Sequence, residues 1–104
     1  MQKTIQQKLV ENLQLIYRKA IDADEQLNKL QQQGKGSFSH VFADDVGFQI
    51  KSKRFKPYVE ELAQDVASLE QLQQQELQKA LPVVVNKIGQ MFATLANFQQ
   101  NLKA

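Results

Sequence analysis

From Leu9 onward the apolar residues of the first third recur as Leu9, Leu13, Ile16, Ala20, Ala23, Leu27 and Leu30. The steps of 4, 3, 4, 3, 4 and 3 return all seven side chains to one stripe of an α-helix. Ile5 extends the stripe backwards, and Val10, Tyr17 and Ile21 widen it into a core-facing surface. Thr4 suits an N-cap, and Gly34 supplies the C-terminal stop. The spacing predicts one long helix from about Thr4 to Gln33.

The pattern breaks at Gly34. The run GKGSFSHVF holds two Gly and two Ser, poor residues for a helix interior, yet Phe38, Val41 and Phe42 need burial. Val46, Phe48 and Ile50 alternate as a strand would, but no second strand is available to pair with them. A loop with room for a helical turn is the better reading, and Asp44 is placed to cap a helix running into FQIKSKRF.

Pro57 suits the first turn of a second helix, with Tyr58, Leu62, Val66, Leu69 and Leu72 as its stripe. Glu60 and Glu61 are expected in that first turn, where the helix dipole favours negative charge. This helix is expected from about Lys56 to Gln73. The last stripe reads Leu77, Leu81, Val84, Ile88, Met91, Leu95, Phe98 and Leu102. Pro82 lies inside it, so the third helix either begins or kinks there, while Gln73-Gln74-Gln75 is the more natural break. Gly89 either weakens this helix or allows a close helix–helix approach.

The fold class that follows is all-α: residues 1–104 form a single domain, an antiparallel bundle of three long helices. An irregular, aromatic-rich connector, with room for a short extra helix, joins the first two. The competing use of such heptads is a coiled-coil dimer, so monomer and dimer both remain open.

Composition narrows the chemistry. Eighteen Gln in 104 residues keep helix faces soluble without charge, and six Gly plus Pro favour helix throughout. No run of apolar residues is long enough to span a bilayer, and MQKTIQQ lacks the apolar core of a secretory signal. The absence of Cys removes disulfides, thiol nucleophiles and thiolate metal sites, and fits a reducing, cytoplasmic setting. His40 stands alone, and the chain has no HExxH, no GxSxG and no glycine-rich phosphate loop, so no enzyme activity and no cofactor are expected. Asp22, Asp24 and Glu25 resemble the start of a calcium loop, but Leu27 occupies the position that needs Gly, and a solvated helix face is expected instead.

The net charge of +2 is small, yet it is unevenly placed. Residues 1–50 carry six basic and six acidic groups, so the surplus lies in residues 51–104. Lys51, Lys53, Arg54 and Lys56 cluster around Phe55 in KSKRFK. Basic residues beside an aromatic can grip a phosphate backbone and stack a base, or attract an acidic protein. The plainer reading is a solvated helix start with Phe55 turned into the core; Lys35 and Lys87 are the cations that would enlarge a patch. Phe38, Phe42, Phe48 and Phe55 are the partner-binding candidates, their alternative role being to close one end of the bundle.

The order of features resembles a known family. A heptad-like first helix leads to FSHVF at Phe38 to Phe42, then to VEELAQDVASLEQ and, after a Gln-rich break, to ELQKALPVVVNKIGQMFATL. The chain resembles the N-terminal half of primosomal replication protein N'' (PriC), over nearly all of its length. The resemblance implies a role at stalled replication forks, with the replicative helicase and the single-strand-binding protein as partners. In that family a strongly basic C-terminal half is associated with single-stranded DNA, and these 104 residues contain no counterpart of it. Direct DNA binding is therefore expected to be weak, and protein recognition is the implied role.

Overall fold

The computed structural model describes residues 3–33 and 47–103, with side chains as far as residue 100. Three helices account for most of them: α1 (Lys3–Gln32), α2 (Lys56–Leu69) and α3 (Gln74–Lys103). Among the described residues there is no strand, so Phe48 and Ile50 belong to irregular backbone rather than a β ladder. Phe38, His40, Phe42 and Asp44 lie outside the described residues.

Contacts between helices fix their directions. The backbone at Phe55 and Lys56, where α2 begins, meets Asp24 late in α1. Val59 and Ala63 further along α2 line a groove with Val10, Leu13 and Tyr17, earlier in α1. α2 therefore descends where α1 rises. Lys87 then meets Glu61 and Asp65, and Phe98 meets Phe55, so α3 runs antiparallel to α2.

The predicted stripes form the core, with one correction. Leu9, Ile16, Ala20, Ala23 and Leu27 are buried on α1, opposite Tyr58, Val59, Leu62, Val66 and Leu69 of α2 and Val84, Ile88, Met91 and Leu95 of α3. Val10, Tyr17 and Ile21, expected to widen the core-facing surface, are instead 39%, 43% and 39% exposed. Two partner helices cover an arc of α1 centred on Leu9, Ile16 and Ala20, and these three residues fall beyond its edge. Ile5 is likewise exposed.

Helix ends differ from expectation in informative ways. Thr4 lies inside the first turn of α1, which starts at Lys3, so it is not the N-cap. α2 stops at Leu69, four residues before Gln73. There the amides of Glu70, Gln71 and Leu72 donate to carbonyls three residues back, a tightened last turn that ends the helix and returns Leu72 to the core. Pro57 does lie in the first turn of α2. Glu60 and Glu61 fall just past that turn, and Glu61 acts elsewhere. α3 begins at the Gln-rich break and continues through Pro82, losing the one hydrogen bond that a residue at 82 would donate. Gly89 has no atom within 4 Å of where a Cβ would stand, so it serves no close approach.

Candidate functional site at the connector

Residues 47–55 lead into α2, and their course is set by side chains of all three helices. Gly47 has φ of +96°, a left-handed conformation that costs glycine little and other residues much. The backbone N–H groups of Gln49 and Ile50 then donate to the Glu61 carboxylate, at 2.9 and 2.8 Å to Oε1. The Phe48 ring meets Tyr58 edge-on, with centroids 5.2 Å apart and planes at 88°. The Tyr58 hydroxyl accepts from the N–H of Ser52 at 2.8 Å and donates to its carbonyl at 3.2 Å. This half of the connector is thus strapped onto α2.

Lys87 secures the strap from α3. It is only 4% exposed, and its ammonium donates to Glu61 Oε2 at 2.6 Å and to Asp65 Oδ2. The same ammonium lies 4.6 Å from the centroid of the Phe48 ring. Burial alone would lower the Lys87 pKa, but hydrogen bonds to Asp65 and Glu61 and the charges of both carboxylates outweigh it and raise the group above the ordinary lysine value. Burial would likewise raise Glu61; bonds from Lys87, Gln49 and Ile50, with the Lys87 charge, hold it below the usual carboxylate range. Lys87 is thus a buried structural cation rather than an extension of the basic patch. Lys35 lies outside the described residues.

The basic segment sits on the opposite side, against α1. Arg54 is half-buried: its Nε donates to Asn28 Oδ1 at 3.0 Å, Nη2 to Gln31 Oε1, and Nη1 to the carbonyl of Lys53 at 3.0 Å. All three acceptors are neutral. Lys51, Lys53 and Lys56 are exposed. Next to them Asp24 accepts from the backbone N–H of Phe55 at 2.6 Å and of Lys56 at 3.0 Å. These are the unpaired donors of a helix N-terminus, so α1 caps α2 across the bundle. Asp24 therefore leaves the solvated-face reading given to the acidic cluster. Among the described residues no group of three or more His, Asp or Glu could hold a metal ion.

The aromatic candidates separate. Phe55 is 2% exposed and tilts against Phe98 at 5.5 Å, so its ring is core and is not offered to a base or a partner. Phe48 is half-buried between Tyr58 and Lys87. Phe38 and Phe42 lie outside the described residues. Sequence reasoning missed Asp24, Glu61 and Asp65, and it misplaced Lys87. A signal existed for the last three: Lys87 falls three residues after Val84 and four before Met91, on the edge of the apolar stripe. A lysine in that register needs a counter-charge, and Glu61 and Asp65 present one at a spacing of four.

Among the described residues, no helix is long and apolar enough to cross a membrane. Comparison of the chain with protein-family models, with curated proteins and with solved structures finds no match.

Proposed function

We propose that this chain is a non-enzymatic, cytoplasmic interaction domain of bacterial DNA replication restart, acting as PriC-like proteins do. In this reading it contributes to recognition of stalled forks and to loading of the replicative helicase through protein contacts. The order of sequence features supports the family assignment.

The observation that carries the interaction role is the setting of Arg54. Its guanidinium is fixed by Asn28, Gln31 and the Lys53 carbonyl without a carboxylate among these acceptors, and Lys53 and Lys56 stand exposed beside it. A cation held this way keeps its charge for a partner and has little side-chain freedom left to lose on binding. The partner it fits is an acidic protein segment, which agrees with the single-strand-binding protein and helicase implied by the resemblance. With Phe55 in the core, the segment lacks the ring that would stack a base, which favours protein over single-stranded DNA.

The test is capture of purified helicase and single-strand-binding protein by the wild type and by Lys53→Glu with Lys56→Glu. Capture that is lost on reversal supports the reading. Equal capture by both, or none by the wild type at low salt, overturns it. Tight binding of a single-stranded oligonucleotide, falling steeply with salt, would make DNA the partner instead.

A further inference from the structure

Beyond that reading, we infer that α1 is a self-association face, through which two copies of the chain pair antiparallel about Gln14. The inference starts from three of the exposed apolar side chains of α1. Val10, Tyr17 and Ile21 are each about two-fifths exposed, at 39%, 43% and 39%. Val10 and Tyr17, with Leu13 behind them, form one wall of an open groove whose other wall is Val59 and Ala63 of α2. An apolar strip on a small helical domain calls for an occupant.

The residues beside the strip indicate which occupant. Lys3, Gln7, Glu11, Gln14, Arg18, Ile21 and Glu25 are all exposed, and their steps of 4, 4, 3, 4, 3 and 4 place them along one face of α1. Read in order, their charges are positive, neutral, negative, neutral, positive, neutral and negative. Reversing the direction of the helix exchanges every positive residue with a negative one. Antiparallel pairing centred on Gln14 sets Lys3 against Glu25 of the second copy and Glu11 against Arg18, and each contact occurs twice. A two-fold interface requires this self-complementarity, because residue i meets j while j meets i. Parallel pairing would set Lys3 on Lys3, Glu11 on Glu11 and Arg18 on Arg18. An unrelated partner would need no such inversion.

The same arrangement brings Val10 of one copy towards Tyr17 and Ile21 of the other, over the groove. Three apolar side chains per copy make a small interface, below roughly 1,200 Å² in total, so the dimer is a weak and reversible one. Its two copies would carry their Arg54 segments at opposite ends, since the helices that hold those segments run in opposite directions.

Sedimentation velocity over a range of protein concentrations, up to the order of 0.5 mM for an interface of this class, tests the pairing. The wild type is expected to shift from monomer towards dimer. Arg18→Glu alone, or Glu11→Arg alone, puts like charges together twice per dimer and is expected to weaken association by about tenfold or more. The double reversal, Glu11→Arg with Arg18→Glu, restores opposite charges and is expected to return association to near the wild-type level. All these positions are exposed, and unchanged helical circular dichroism checks that the variants fold. A wild type that stays monomeric throughout overturns the inference, as does a double reversal no better than either single one. Because the chain has no Cys, Lys3→Cys and Glu25→Cys variants can be mixed and oxidised. Antiparallel pairing gives the mixed cross-link; a predominance of 3-to-3 and 25-to-25 products overturns it.

Discussion

The ammonium of Lys87 on α3 stands 2.6 Å from Oε2 of Glu61 on α2, and the same carboxylate holds the backbone N–H groups of Gln49 and Ile50. One glutamate thus joins two helices and the connector. Replacing Lys87 with Met keeps much of the volume but leaves Glu61 and Asp65 facing each other without their shared cation. The expected loss is about 1–3 kcal/mol in urea unfolding, below the full cost of a deeply buried pair because Asp65 is partly solvated. Lys87→Met with Glu61→Gln should lose less than the sum of the two single changes. Strict additivity would mean that the two groups are not coupled.

The same pair sets a pH window. Glu61 is lowered in the folded state, so its contribution is present above the ordinary glutamate value, about 4.3, and is lost as pH falls through the lower folded-state value. Lys87 is raised, so its contribution is full below the ordinary lysine value, about 10.4, and is lost as pH rises through the higher folded-state value. The knot therefore contributes fully between about pH 5 and pH 10. Thermal unfolding followed from that range down through and below the ordinary glutamate value, about 4.3, should show the acid limb flattened in Glu61→Gln.

Asp24 caps α2 from α1, since it accepts from the first two amides of the helix start. Asp24→Ala is expected to destabilise by about 0.5–2 kcal/mol, the range for a lost N-cap. Asp24→Asn, which can still accept one of the two bonds, should fall between. The readout is the urea midpoint, and a neutral Asp24→Ala would show that solvent caps α2 equally well.

Gly89 is exposed in the interior of α3, with nothing within 4 Å of a new Cβ. Gly89→Ala should therefore stabilise the protein by about 0.5–1 kcal/mol, raising the melting temperature by a few degrees. Gly47→Ala should do the reverse, because φ of +96° is strained for any residue with a side chain.

The helices were legible because their stripes repeat for five to eight residues each, and Leu9, Ile16, Leu62, Met91 and Leu95 are buried as the periodicity requires. The edges of those stripes were not. Periodicity says which side of α1 is apolar, but how wide an arc the neighbours cover decides the fate of Val10, Tyr17 and Ile21. The connector was legible only in composition. Its course depends on Glu61, Lys87 and Tyr58, from 6 to 39 residues away from the groups they hold, and no local rule links them. Phe55 followed the plainer of its two readings, since a ring between three helix ends finds its partner in Phe98.

At 14 residues, α2 is less than half as long as α1 and α3, each of 30. With a rise of about 1.5 Å per residue, only some 21 Å of a roughly 45 Å rod is wrapped on three sides. Amide hydrogens in that middle stretch, around Ile16, Leu62 and Met91, should exchange with deuterium only when the whole domain opens. Those of the first turns of α1 and α3 should exchange through local fraying at a far smaller free energy. The shortest helix thus sets how much of the chain unfolds as a single unit.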